Sequence, residues 1–253
     1  MKDGKFMSLF RESKPIIGMI HLNCLYGNVI KNALKEIEIM SECGIDAVLV
    51  ENYFGTNKDV RDVLSNLYHN NSKTIYGVNI LSRKNSVEEG FVEAFDLANE
   101  YGASFIQVDS IAGHLKEDHD LLFGQIINRF RSISDAALIG GVRFKYQPIL
   151  SNRSVQEDIA IGRTRCDGIV VTGNATGVET DIQKLRSFKT LLQDFPVIVG
   201  AGLNLKNVDT QLRIADAAIV GSYLKEDHID SGELSPVYTN EFMCKVKELR
   251  KQL

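Results

Sequence analysis

No apolar run in this 253-residue sequence reaches the ~18 residues that a membrane span requires, so no integral membrane segment is expected. The opening MKDGKFMSLFRESK lacks the apolar centre of a secretion signal. Cysteine is scarce. Cys24, Cys43, Cys166 and Cys244 form no CxxC pair and match no zinc spacing. Free thiols without a secretion signal point to a reducing, cytoplasmic setting. There is no basic excess: the net charge is −4, which argues against nucleic acid as a partner. No Walker loop, GxSxG or HExxH occurs. Nothing in the chain calls for a metal or an organic cofactor. No linker or low-complexity stretch divides it, so residues 1–253 are expected to form one domain.

What is present is a repeat of short apolar runs at intervals of about thirty residues, the length of a βαβ unit. The runs are Lys14–His21, Ile45–Val50, Thr74–Leu81, Ser104–Val108, Ala136–Phe144, Asp167–Thr172, Pro196–Val199 and Ala217–Val220. Continuous apolar runs suit strands buried on both faces of a parallel sheet. Helical spacing fills the gaps, as in Ile30, Leu34, Ile37 and Met40. Capping boxes at Ser86/Glu89 and Ser154/Glu157 mark two helix starts. A last helix is expected over about Asn240 to Lys251, with Met243, Val246 and Leu249 inward. Strand–helix alternation of this count predicts an α/β fold, a single-domain (β/α)8 TIM barrel with a C-terminal helix. The alternative, an open doubly wound sheet, carries a glycine fingerprint after its first strand. Here that strand ends in His21-Leu22-Asn23.

Active sites of such barrels lie at the carboxyl ends of the strands. That rule selects His21, Glu51, Asn52, Asn79, Asp109, Lys145 and Thr172. Lys145, facing a cavity, suits Schiff-base or general-base work, or a fixed cation for an anionic ligand. Its bland alternative is a side chain that snorkels to water. Asp109 and Glu51 suit acid–base roles, against simple salt bridges with Lys145, Arg143 or Arg83. His21 is a candidate acid, base or donor, against a structural histidine. Asn52 and Asn79 can fix ligand hydroxyls. The strand ends near Gly200–Gly202 and Gly221–Ser222 give paired glycine turns after the last two strands, where many barrels hold a phosphate. Gly173 and Gly177 bracket a further turn after the sixth strand. His114, Glu117, Asp118, His119 and Asp120 read as a solvated loop.

Six segments together, KPIIGMIHL, VLVEN, GVNIL, GASFIQVD, DGIVVTGNATG and IVGSYLK, resemble the BtpA/SgcQ family. The resemblance runs from about Lys14 to the last helix. It implies a ribulose-phosphate-binding type of (β/α)8 barrel. Known members include a factor linked to photosystem I assembly and proteins encoded beside sugar-uptake genes. Matching positions are His21, Glu51, Asn52, Asn79, Lys145, Thr172, Gly173, Thr176, Gly177, Gly200, Gly221 and Lys225. The chain departs from the family at Asn23-Cys24-Leu25-Tyr26-Gly27, at Asp109, and in GGVRFKY.

The expected function is that of an enzyme acting on a small phosphorylated metabolite, a sugar phosphate or nucleoside-like compound. Lyase, isomerase and glycosidic cleavage are all open. A non-catalytic assembly or regulatory protein and a metal-dependent hydrolase are the alternatives. Homo-oligomerisation is compatible with either barrel role.

Overall fold

The computed structural model describes residues 4–24, 27–81 and 87–253. Its centre is a closed barrel of eight parallel strands in sequence order. They are β1 (Ile16–Ile20), β2 (Ala47–Glu51), β3 (Ile75–Asn79), β4 (Phe105–Ala112), β5 (Ala137–Val142), β6 (Gly168–Thr172), β7 (Val197–Gly200) and β8 (Ala217–Val220). β8 pairs with β1, Ile17 opposite Ile219, and closes the sheet. The apolar runs become strands because closure buries both faces.

Helices α1 (Val29–Cys43), α2 (Asn57–His69), α3 (Val87–Tyr101), α4 (Glu117–Ser132), α5 (Val155–Arg165), α6 (Ile182–Leu192), α7 (Val208–Leu212) and α8 (Pro236–Arg250) surround it. Gly44 ends α1 in the left-handed conformation at φ 88°. The Ser154/Glu157 capping box is present at the start of α5. Ser86 lies outside the described residues. Thr56 and Asp59 form another capping box, which starts α2 at Asn57. α7 is a single short segment of five residues.

Two apolar cores result. One lies between sheet and helices. The other fills the barrel with Ile17, Met19, Leu49, Phe105, Ile139, Val170, Ile198 and Ile219. Phe6 enters this inner core from the amino-terminal segment and meets Phe105 edge-on, ring centroids 5.6 Å apart. It stoppers the barrel at its amino-terminal face, leaving the other end for a ligand.

The segment expected to be a solvated loop is neither wholly loop nor wholly solvated. α4 begins at Glu117, and both His114 and Asp120 are buried. Asp120 bridges Arg165 at 2.7 Å and Arg153 at 2.9 Å, while Asp158 bridges Arg143 and Arg153. The arginines that pair with Asp120 lie 33 and 45 residues downstream, so no local pattern announces the pairing. Neither ring nitrogen of His114 has a partner among the described residues. Burial pushes its pKa down to about 4, against nearby carboxylates that raise it. A lowered histidine contributes stability above its unfolded value of 6.5, and that stability is lost as pH falls towards 4. At pH 5 the penalty is about 2 kcal/mol. His114→Leu should therefore resist acid unfolding better than the parent at pH 5 and differ little at pH 8. Denaturant titration at both values checks this, and equal gaps at both would contradict it.

Candidate active site

The carboxyl end of the barrel opens into a cavity of about 950 Å3. Of the candidate residues, His21, Glu51, Asp109, Lys145, Thr172, Gly177, Gly200, Gly202, Gly221 and Ser222 line it. Asn52, Asn79 and Gly173 are not among its lining. Asn52 is structural: its amide donates to Asn57 at 2.7 Å and its oxygen accepts from the Leu81 amide at 2.7 Å, tying β2 to β3. Gly173 backs onto the Val178–Glu179 segment, where a Cβ would lie 2.4 Å from the Val178 carbonyl. Asn79 is fully buried and donates to Glu51 Oε1 at 2.7 Å.

Asp109 lies within β4, which runs four residues past Val108. The β4–β5 register shifts between Val108 and Ala112, an irregularity of the sort that re-aims side chains beside active sites. Asp109 is half-buried and keeps part of its surface open to the cavity. Burial pushes its pKa up to about 6, against the pull of an Asn79 hydrogen bond, the Lys145 charge and a Gln147 hydrogen bond. At neutral pH it is mostly ionised yet can still take up a proton, which suits a general base.

Lys145 does not end a strand. β5 stops at Val142, and Arg143 (φ 49°) and Tyr146 (φ 66°) turn the chain so that Lys145 projects from a loop. Its ammonium donates to Thr176 Oγ1 at 3.2 Å. Burial lowers its pKa, while Tyr146, Glu51, Asp109 and Asp230 pull it back up. Arg143, once a candidate partner for these carboxylates, turns instead to Asp158 at 2.8 Å. Arg83 lies outside the described residues.

His21 is buried and tilts against Tyr53, ring centroids 4.9 Å apart. Burial, then the Lys225 charge, lowers its pKa to about 3, against a hydrogen bond to the Asp230 backbone. A neutral imidazole held in this way orients groups and does not serve as an imidazolium acid. Gly221 makes room for it: a Cβ there would lie 3.0 Å from His21 Cε1.

Sequence reasoning missed several lining groups. Tyr53, Tyr146 and Thr176 line the cavity together, and the Thr176 amide donates to the Tyr146 oxygen at 2.8 Å. Gln107 lies two residues before Asp109 on the same face of β4. That period was legible; the loop tyrosines carried no periodic signal. Asp230 sits on the loop after β8. Its carboxylate accepts from Ser222 Oγ, and its carbonyl accepts from Lys225 Nζ at 3.1 Å. Lys225 itself is fully buried, 3.8 Å from Glu36.

The β7 and β8 loops form the third side of the cavity. Gly202 adopts φ 64°, and a Cβ there would collide with Glu179 at 2.3 Å, so packing alone demands glycine. Among the described residues, no acceptor bonds to the amides of Gly202, Leu203, Ser222 or Tyr223. Lys206 lines the same wall. No helix among the described residues is long and apolar enough to cross a membrane. No group of three His, Cys, Asp or Glu side chains that could hold a metal comes together there either.

Solved structures with similar backbones include N-(5'-phosphoribosyl)anthranilate isomerase from Pyrococcus furiosus. It has a TM-score of 0.60 and 18% identity, over 93% of this chain and 99% of that one. A native KDPGal structure aligns with a TM-score of 0.62 and 14% identity, over 94% and 97% of the two chains. At these identities the likeness is one of fold. In sequence, the chain is 29% identical to an uncharacterised protein of Pyrococcus horikoshii, over 95% of this chain and 98% of that one. It is 26% identical to the photosystem I biogenesis protein BtpA of Synechocystis, over 92% and 88%. It is 24% identical to the putative sgc region protein SgcQ of Escherichia coli, over 94% and 96%. The BtpA family pattern matches residues 12–248, and the chain belongs to the BtpA family.

Proposed function

We propose that this barrel is an enzyme acting on a small phosphorylated metabolite of the sugar-phosphate or nucleoside-like kind. One observation carries the reading. A single cavity combines uncommitted backbone amides on the β7 and β8 loops with Lys145, Asp109 and Glu51 on the facing wall. Amides and Lys206 suit a phosphate, which the acidic chain as a whole would not attract. Asp109 takes the part of general base, Lys145 that of a cation or proton donor to a developing oxyanion, and His21 that of a neutral orienting group. Thr172, Gly177, Gly200, Gly221 and Ser222 shape the wall against which the ligand lies. The Synechocystis relative is named for photosystem I biogenesis. An assembly protein, however, has no need of a polar, carboxylate-bearing pocket such as this one.

A ligand bound only by the folded state at about a hundred times its Kd stabilises it by about 2.7 kcal/mol. For a chain of this size that raises Tm by about 5–10 °C. A thermal-shift panel of sugar phosphates and nucleotides should contain at least one such response. Its unphosphorylated counterpart should give little. Equal shifts from both members of every pair would remove the phosphate from the account.

A further inference from the structure

We infer that Gln107 is a specificity-determining residue: with Thr172 it forms a hydrogen-bonding floor for the hydroxyl groups of a sugar phosphate. Gln107 shares the inward face of β4 with Phe105, which belongs to the inner apolar core, and with Asp109. In register it stands beside Asn79 on β3 and Ile139 on β5. It lines the cavity, yet only 4% of it is exposed. Its Oε1 is buried without a partner, and no hydrogen bond among the described residues holds its amide nitrogen.

Amides that serve the fold of this chain are anchored. Asn52 is tied at both ends, to Asn57 and Leu81. Asn207 donates to the Gly202 carbonyl and accepts from the Asn204 amide, each at 2.9 Å. Gln211, whose oxygen is also unmet, is held through its nitrogen by Glu179 and Thr180. Gln107 has no such anchor among the described residues. Its neighbour Ile139 belongs to the inner core, so an apolar side chain is accommodated at this level of the barrel. A buried, unmet carbonyl oxygen costs stability that an apolar side chain would avoid. Binding sites commonly carry such a cost.

Two further residues of the cavity have unmet buried atoms, Thr172 Oγ1 on β6 and His21 Nδ1 on β1. Thr172 turns its methyl group towards Gly200, where a Cβ would lie 3.4 Å from Cγ2. Around these atoms the floor is apolar, with Met19, Val170 and Ile219. A few polar atoms set in an apolar wall fix a ligand's orientation. The three come from β1, β4 and β6, spread around the barrel. A flat heterocycle presents its donors along one edge. The hydroxyl groups of a sugar point in several directions, and each both donates and accepts. The carbonyl of Gln107 accepts from one hydroxyl, and Thr172 exchanges a hydrogen bond with another. The phosphate end of this ligand rests on the function proposed above; the hydroxyl-binding floor does not.

Calorimetric titration of the full chain with inorganic phosphate, pentose and hexose phosphates, the matching free sugars and nucleotides tests the inference. In the parent the best sugar phosphate should bind about tenfold or more tightly than inorganic phosphate, the gain of at least one further hydrogen bond. In Gln107→Met, a substitution of similar length, the Kd of that sugar phosphate should rise by about tenfold or more, because a ligand hydroxyl and a buried carbonyl lose each other. The Kd of inorganic phosphate should not change. Thr172→Val should behave likewise, and it decides the matter if Gln107→Met does not fold. A deoxy analogue of the sugar phosphate, lacking the hydroxyl that meets Gln107, should bind parent and Gln107→Met alike. Unchanged sugar-phosphate affinity in the folded variants, or an equal loss for inorganic phosphate, overturns the inference. So does a parent that prefers no sugar phosphate to inorganic phosphate, or a tightest-binding nucleotide whose affinity survives removal of its ribose hydroxyls. Free sugars that bind as tightly as their phosphates, with the dependence on Gln107 intact, strike the proposed function and leave the floor standing.

Discussion

Lys145→Met should leave the protein folded while weakening binding of a phosphorylated ligand by about 10- to 100-fold, the cost of losing one charge-assisted hydrogen bond in a shielded site. Turnover should fall further, by about 10²–10⁴-fold, if Lys145 also moves a proton. The fold should tolerate the change because burial already disfavours the ammonium and its bonded partner, Thr176, lies on a loop. Methionine retains much of the stem packing. Calorimetric titration with the best compound of the thermal-shift panel measures the effect. Unchanged affinity and turnover would reduce Lys145 to a cation on a loop.

Asp109→Asn should make the protein more stable at neutral pH. The carboxyl titrates near 6 in the folded state against 3.8 for an ordinary aspartate, so the folded protein favours its protonated form. That stabilisation is complete below pH 3.8 and is lost as pH rises through 6. The ionised carboxylate therefore costs up to about 3 kcal/mol at pH 8. Lys145 loses a compensating charge in the variant, so the net gain should be about 1–3 kcal/mol, or about 2–10 °C in Tm. The gap between variant and parent should open as pH rises from about 4 to 6, stay constant above that, and close below pH 4. Active sites commonly carry such a cost. A variant less stable than the parent at pH 8 would mean that Asp109 is a structural anchor.

Much of the fold was legible in the sequence because closure of a parallel barrel buries every strand on both faces. The β6, β7 and β8 runs end within a residue of their predicted ends. Legibility failed where tertiary contact overrode local pattern. β4 continues through Asp109 because its pairing with β5 resumes at Ala112, beyond a register shift that no periodicity announces. Phe6 looked like part of a featureless terminus, and only the hollow of the barrel gives it a place. His114 and Asp120 looked solvated because the arginines that pair with Asp120 lie far along the chain. In the site, the strand-end rule found the residues that strands carry. It did not find Tyr53, Tyr146 or Asp230, which loops deliver, and it could not tell Asn79, closed behind Glu51, from a residue open to a ligand.

The central claim is that an anion sits between the β6, β7 and β8 loops. Gly202 cannot probe it, since any side chain there strikes Glu179. Gly177 can: a Cβ at this position meets only Ser222 Oγ, at an ordinary contact distance of 3.8 Å. Its φ of 74° is one that Asp and Asn adopt more readily than other side chains. The decisive measurement is the thermal shift produced by the best sugar phosphate in Gly177→Asp and Gly177→Asn, with Gln193→Glu, on the turn before β7, as a distant charge control. The shift should survive in the asparagine variant and in the control, and disappear in the aspartate variant, where a carboxylate meets the phosphate. A shift that persists undiminished in folded Gly177→Asp would place the phosphate elsewhere and contradict the account.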